Sequence, residues 1–150
     1  MRPTVHVLNG PNLNLLGQRE PHLYGDHSLK DLEQLCRDTA DAFGWDLVFH
    51  QTNHQGEMVD QLHATRGAAV GVVINPAAFC YGSVAVLDAL RACDRPVIEV
   101  HITNIHGREP EWRSHTITAA ACAGMISGLG LEGYSLAIRR LASLAGAGAA

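Results

Sequence analysis

The chain has 150 residues, of which 47% are hydrophobic and 17% are charged. This composition is typical of a folded globular protein and excludes an intrinsically disordered one, and the length predicts one domain over residues 1–150. A formal net charge of −4 argues against nonspecific binding to nucleic acid or to an anionic membrane, and an aromatic content of 5% argues against a base-stacking surface.

Strand and helix signals alternate along the chain. Short apolar runs, often β-branched, predict the strands, and apolar positions at helical spacing predict the helices. In chain order the predicted elements are strand Val5–Leu8, a helix that begins at Ser28 and stops at Gly44, strand Leu47–His50, helix Glu57–Arg66, strand Val70–Ile74, helix Ser83–Cys93, strand Val97–Val100, strand Met125–Leu129 and helix Tyr134–Leu144. Residues 145–150, which are Gly and Ala only, predict a frayed tail. Strands separated by helices predict a parallel sheet with helices on both faces.

The cellular location is predicted from the cysteines and the apolar runs. The four cysteines are scattered and none forms a CxxC pair, which predicts reduced thiols rather than a zinc or redox site. The N-terminal residues lack the apolar core of a secretory signal, and the longest apolar run, Ala119–Leu131, is too short to cross a bilayer. We therefore expect a cytoplasmic protein that does not enter a membrane.

The predicted topology brings four connections to one edge of the sheet. In such folds ligands bind beyond the carboxyl ends of the strands. The connections at that edge are Asn9–Tyr24, Thr52–Glu57, Asn75–Ser83 and His101–Arg113. The first of them belongs to the stretch NGPNLNLLGQREPHLYG, and connections of that length in a compact domain usually carry function.

Two groups of residues at this edge have acid–base chemistry. Glu99 and His101 are two apart on a predicted strand, so both point to one face and the carboxylate can orient the imidazole. The alternative for this pair is a satisfied polar contact at a strand end. Tyr24 shares the long connection with Arg19, and Arg108 lies on a neighbouring one. Guanidinium groups favour a phenolate that can act as a base, while a loop-packing aromatic and solvated charges are the alternative.

The sequence gives no metal or cofactor signature. Its nine histidines include no HExxH, and neither the pair His50 and His54 nor the pair His101 and His106 has convincing ligand spacing. The first strand is followed by neither GxxxxGK[ST] nor GxGxxG, so a nucleotide or flavin fingerprint is missing. We expect neither a metal nor a cofactor.

Several blocks together resemble one enzyme family. They lie between about Val5 and Arg140 and read NGPNLNLLGQREPHLYG, TNHQGEMVDQLH, INPAAF, SVAVLDAL and EVHITNIHGRE. In order and spacing the sequence is similar to the type II 3-dehydroquinate dehydratases. The resemblance implies a flavodoxin-like three-layer fold with a five-stranded parallel sheet, and trimers assembled into a dodecamer. It implies reversible anti dehydration of 3-dehydroquinate to 3-dehydroshikimate, in the shikimate or quinate pathway, without metal or cofactor.

The resemblance also implies catalytic roles. Tyr24, as a phenolate held by Arg19 and Arg108, would remove a proton from C2 of the substrate. Asn12 would stabilise the resulting enolate through a bound water. In the second step His101 would protonate the departing C1 hydroxyl, with Glu99 orienting the ring.

Further residues are implied to bind the substrate. Asn75, with the backbone and side chains around Ile102 and Thr103, would hold the substrate carboxylate. Arg113 would bind ring hydroxyls, and Asp88 would reach the site of a neighbouring subunit. Tyr81 would contact a ring hydroxyl or reshape the pocket.

Departures from the family pattern cluster at the contacts to the substrate. Ala77 stands where Gly is usual, Tyr81 where His is usual and Thr103 where Ser is common, while Pro110 looks like an insertion before Arg113.

Two other functions therefore stay open beside the main one. The first is a dehydratase that acts on a modified dehydroquinate, such as an amino analogue, in secondary metabolism. The second is a noncatalytic flavodoxin-like binding module.

Overall fold

Five parallel strands form the central sheet of the computed structural model, which describes residues 1–148. The strands are β1 (Thr4–Asn9), β2 (Asp46–Gln51), β3 (Ala69–Asn75), β4 (Val97–His101) and β5 (Gly124–Ser127). Their order across the sheet is β2-β1-β3-β4-β5, and every neighbouring pair is parallel. The predicted five-stranded parallel sheet is confirmed.

Helices cover both faces of the sheet. They are α1 (Pro21–Tyr24), α2 (Leu29–Asp41), α3 (Gln55–Ala64), α4 (Val84–Arg91) and α5 (Glu132–Leu144). Buried side chains of α2 and α5 pack on one face, and those of α3 and α4 pack on the other. This arrangement gives the predicted three layers, and only the short α1 was not predicted.

No helix within residues 1–148 is both long enough and apolar enough to cross a bilayer.

The start of α2 shows how the local sequence determines where a helix begins. The Ser28 hydroxyl accepts from the Asp31 N–H at 3.2 Å, and the Asp31 carboxylate accepts from the Ser28 N–H at 2.9 Å. This reciprocal capping box satisfies two N–H groups that a helix start leaves free. The bond from the Ser28 backbone also holds the pKa of Asp31 below its ordinary value. Leu32 and Cys36, one turn apart, then bury their side chains completely.

The last helix is closed by the residues that follow it. The N–H of Ala147 donates to the Ala142 carbonyl at 2.8 Å, and the Ala147 side chain packs against the core. The frayed tail predicted for residues 145–150 stays a prediction. Positions 149 and 150 of that predicted tail lie outside the described residues.

The centre of the sheet brings two strand ends close together. Asn9 of β1 is paired with Asn75 of β3, and the chain leaves these two strands toward opposite sides of the sheet. A Cβ atom on Gly10 would lie 2.3 Å from the Pro76 carbonyl oxygen, so only glycine fits there. In parallel sheets, a crevice opens where the strand order reverses in this way.

Candidate active site

A cavity of about 200 Å³ opens at the carboxyl ends of β1, β3 and β4. All of the predicted site residues line it except Glu99 and Asp88. Arg19, Arg108 and Arg113 contribute three positive charges, and within residues 1–148 no Asp or Glu side chain lines the cavity. The cavity therefore favours a small anionic ligand, and guanidinium groups are well suited to a carboxylate.

The connection after β1 is folded against the core. Leu13, in a single 3₁₀ turn, and Leu16 are both buried among the core residues. These anchors lead to Arg19 and then to α1, which begins at Pro21, where a missing N–H costs nothing. The sequence predicted a functional connection here, but neither of its short helical turns.

Tyr24, at the end of α1, has its hydroxyl between two guanidinium groups. Arg108 Nη1 donates to the Tyr24 oxygen at 2.9 Å, and Arg19 Nη2 donates to it at 3.5 Å. Both guanidinium groups thus place a donated hydrogen bond and a positive charge at the one phenolic oxygen. The Arg19 guanidinium also forms an ion pair with the Glu20 carboxylate at 3.3 Å, and this pairing offsets part of the positive charge of Arg19. The geometry therefore suits Tyr24 to act as a base.

His101 and Glu99 form a buried pair at the end of β4. His101 Nε2 donates to Glu99 Oε2 at 2.8 Å, while Glu99 is 0% exposed and His101 is 6% exposed. The Glu99 carboxylate also accepts from the hydroxyl of Thr116 at 3.3 Å and from that of Thr118. These bonds satisfy a buried charge that would otherwise be costly. Nδ1 is then the ring nitrogen that can exchange a proton with a ligand.

Thr116 and Thr118 were not predicted as site residues. They stand two apart, just before a short turn that begins at Ala119. The pair of hydroxyl residues at alternate positions is the one sequence signal that could have drawn attention to them.

Asn75, at the end of β3, is held by two bonds of its own amide group. Its Nδ2 donates to the Tyr134 hydroxyl at 2.9 Å, and its Oδ1 accepts from the Ala77 N–H at 3.1 Å. Tyr134 is completely buried, and burial raises its pKa, so this hydroxyl keeps its proton at neutral pH. The sequence placed Tyr134 only at a helix start. The sequence feature that could have drawn attention to Tyr134 is a hydroxyl group on the apolar face of α5.

Tyr81 lines the cavity from another side, within a cluster of two aromatic rings and one guanidinium group. The rings of Tyr81 and Trp112 meet edge to face with their centroids 5.0 Å apart. The Arg113 guanidinium carbon lies 4.8 Å from the Trp112 ring and 5.7 Å from the Tyr81 ring. Burial raises the pKa of Tyr81, so it remains a neutral phenol. Trp112 was not predicted to have a part in this cluster.

Comparison with known proteins identifies the family. The model of the family "Dehydroquinase class II" matches residues 3–142. The chain belongs to the class II dehydroquinases. A 3-dehydroquinate dehydratase from Cereibacter sphaeroides is 49% identical over 148 residues, which cover 99% of this chain and 100% of that relative. One from Streptomyces coelicolor is 52% identical over 147 residues, which cover 97% and 93%.

Solved structures of class II dehydroquinases share the fold. The crystal structure of the type II dehydroquinase from Propionibacterium acnes aligns with a TM-score of 0.91 at 42% identity, covering 95% of this chain and 98% of that one. The enzyme from Butyrivibrio crossotus aligns with a TM-score of 0.90 at 37% identity, covering 93% and 97%. The predicted family and fold class are confirmed.

Some predicted residues of this class II dehydroquinase lie outside its own cavity or at the edge of it. Asp88 is exposed on α4 and does not line the cavity, so its contact with a neighbouring subunit stays a prediction. The connection Thr52–Glu57 contributes no cavity residue. It supports the edge of the cavity instead, because Asn53 Oδ1 accepts from the Asn12 N–H at 2.9 Å. Ile102 and Thr103 follow β4 and line the cavity, while their contact with a substrate carboxylate stays a prediction.

Three of the four cysteines of this class II dehydroquinase are largely shielded from solvent. Burial raises the pKa of the Cys36, Cys80 and Cys122 thiols to about 12, which makes them poor nucleophiles. Within residues 1–148 no group of three or more His, Cys, Asp and Glu side chains could hold a metal ion.

Proposed function

We propose that this chain catalyses the reversible dehydration of 3-dehydroquinate to 3-dehydroshikimate, a step of the shikimate pathway. Relatives that are about half identical over nearly their whole length are named for this reaction. The observation that carries the proposal is the pairing of two groups in one cationic cavity. One is a tyrosine hydroxyl that accepts from two arginines, and the other is a histidine held by a buried carboxylate.

The first step is removal of a proton. The Tyr24 phenolate takes the proton from C2, which is acidic because the neighbouring C3 is a ketone carbon. The electron pair of the C–H bond moves into the ring, and the carbonyl oxygen becomes an enolate. Asn12, which lines the cavity, stabilises this oxygen through a bound water. The positive charge of Arg19 and Arg108 keeps Tyr24 in the form that can accept the proton.

The second step expels water. The enolate electrons re-form the C3 carbonyl, and a double bond forms between C2 and C1. The bond from C1 to its hydroxyl breaks, and His101 gives the departing oxygen a proton. Glu99 keeps the imidazole in one orientation and stabilises its cation. The product is a conjugated enone, and both residues are ready to run the reaction in reverse.

Substrate binding uses the strand ends. Asn75 and the segment of Ile102 and Thr103 hold the carboxylate, and Arg113 binds ring hydroxyls. Tyr81 offers a neutral hydroxyl that can donate or accept at the same ring. All five residues line the one cavity, which supports this assignment.

We also propose a cytoplasmic dodecamer built from trimers. Asp88 is exposed and lies outside the cavity of its own chain, which suits a contact with a neighbouring site. Sedimentation velocity on the purified protein tests the assembly. A monomer at micromolar concentration would contradict it.

The reaction is tested by following the ultraviolet absorbance of the enone product when the purified protein meets 3-dehydroquinate. Tyr24→Phe should lower kcat by more than about a hundredfold, because the general base is lost. Its circular dichroism and sedimentation should match those of the unmodified protein. A folded and assembled chain without turnover would contradict the proposal.

A second candidate substrate class is a modified dehydroquinate, such as an amino analogue. The observation that favours it is the edge-to-face packing of Tyr81 against Trp112, which holds a neutral aromatic side chain at the position where His is usual in the family pattern. Parallel assays with both substrates separate the candidates by kcat/KM. If the protein turned over neither substrate, the noncatalytic binding module would be the remaining candidate function.

A further inference from the structure

A chain of hydrogen bonds runs behind the cavity through β2, β1, α5 and β3. The His50 carbonyl accepts from Asn9 Nδ2 at 3.1 Å, and Asn9 Oδ1 accepts from the Tyr134 hydroxyl at 2.7 Å. The Tyr134 oxygen accepts from Asn75 Nδ2 at 2.9 Å, and Asn75 Oδ1 accepts from the Ala77 N–H at 3.1 Å. Asn9, Asn75 and Tyr134 are all buried.

Both ends of this chain have a fixed polarity. A backbone carbonyl can only accept and a backbone N–H can only donate. Asn9 must therefore turn its nitrogen to His50 and its oxygen to Tyr134, which uses the Tyr134 proton. The Tyr134 lone pair then faces Asn75, which must present its nitrogen. At the other end of the chain of hydrogen bonds, the Ala77 N–H must donate to the Asn75 oxygen. Both ends therefore require the same orientation of the Asn75 amide, with its nitrogen toward Tyr134.

This polarity decides what Asn75 can offer to a ligand. An asparagine amide has two N–H donors, and the bond to Tyr134 uses one of them. Asn75 lines the cavity, so the second N–H is available to a molecule bound there. A flipped amide would present its oxygen instead, and two oxygen acceptors face to face repel.

We propose that Tyr134 is a positioning residue that fixes Asn75 to donate an N–H to the substrate carboxylate. This inference rests on the proposed function, in which Asn75 holds that carboxylate. Tyr134 acts through Asn75 and touches no substrate itself. Because the carboxylate is present before and after the reaction, the effect belongs to binding rather than to the chemical step.

The test is Tyr134→Phe, which removes the hydroxyl and keeps the ring. Asn75 then loses the partner that orients its nitrogen. The KM for 3-dehydroquinate should rise about tenfold while kcat stays within about twofold, the pattern expected when uniform binding is lost. A KM within twofold of the unmodified enzyme would overturn the proposal. Unmodified enzyme without turnover would instead contradict the proposed function.

Ser135→Ala is the matched control on the same helix. The Ser135 hydroxyl shares a buried hydrogen bond of 2.9 Å with the Thr39 hydroxyl, and neither residue lines the cavity. Both variants should lower the urea midpoint by a similar amount, but only Tyr134→Phe should raise KM. Equal KM values in the two variants would assign Tyr134 a merely structural role.

A second variant covers the case in which Tyr134→Phe does not fold. Asn9→Ser shortens the side chain, so the Tyr134 proton can turn toward Asn75 and release its amide. Asn9 does not line the cavity, yet this variant should also raise KM without a matching fall in kcat. An unchanged KM would overturn the proposal.

Discussion

The two arginines that donate to the Tyr24 hydroxyl should contribute unequally to catalysis. Arg108 donates at 2.9 Å, whereas Arg19 donates at 3.5 Å and is also paired with the Glu20 carboxylate at 3.3 Å. Glu20 offsets part of the positive charge that Arg19 presents to the phenolate. Arg108→Met should therefore slow turnover more than Arg19→Met does.

The size of the difference follows from Coulomb's law. Two unit charges about 4 Å apart attract by about 4 kcal/mol at the effective dielectric constant near a protein surface. Arg108 and Tyr24 are each half-buried, so we reduce this to about 2 kcal/mol for solvent screening, which is about thirtyfold in kcat/KM. The Arg19 side chain is 39% exposed and its charge is shared with Glu20, so its loss should cost about 1 kcal/mol or less, about fivefold.

The assay is kcat/KM for 3-dehydroquinate, measured for each variant and for the unmodified enzyme under the same conditions. Arg108→Lys keeps a positive charge, so its kcat/KM should lie between those of the unmodified enzyme and of Arg108→Met. Equal losses for Arg19→Met and Arg108→Met would refute the reasoning from distance and charge sharing.

Two further predictions concern buried polar groups. Thr118→Val removes a hydroxyl that donates to the buried Glu99 carboxylate, which should cost about 1.5–3 kcal/mol in urea unfolding, whereas Thr116→Val loses only a 3.3 Å bond and should cost less. The reverse order would contradict this ranking. Burial, and to a lesser degree the charge of His50, lowers the pKa of His6 below its ordinary 6.5. From pH 6.5 downward the unfolded chain therefore binds a proton that the folded chain does not, and the free energy of unfolding should fall less steeply with acid in His6→Gln than in the unmodified protein. Parallel slopes would show that His6 does not carry this dependence.

Much of the fold could be predicted because its signals are local. The run Val70–Ile74 predicted a buried strand, and β3 extends it by one residue at each end. Ser28 predicted the start of a helix, and it caps α2 there through the bonds it exchanges with Asp31. The pairing of Glu99 with His101 also follows from strand geometry alone, since alternate residues share a face.

The partners of these residues could not be predicted in the same way. Thr118 reaches Glu99 from 19 positions along the chain, and Tyr134 reaches Asn9 from 125 positions away. No local pattern sets such contacts, because they depend on how the last connection and α5 pack onto the sheet. The chemistry of a site can thus be predicted from motifs, while the groups that orient it need the three-dimensional structure.

The position of the site explains why these orienting groups matter. Asn75, Ile102 and Thr103, which are assigned to hold the substrate carboxylate, stand at the ends of β3 and β4. Gly10 lets Pro76 approach there, and buried hydrogen bonds through Tyr134 join the ends of β1 and β3. The proposed base, Tyr24, stands instead on a short helix within a connection that is held by two arginines. Changes behind the strand ends should therefore act on KM. Changes around Tyr24 should act on the chemical step, so the two sets of variants separate binding from catalysis within one cavity.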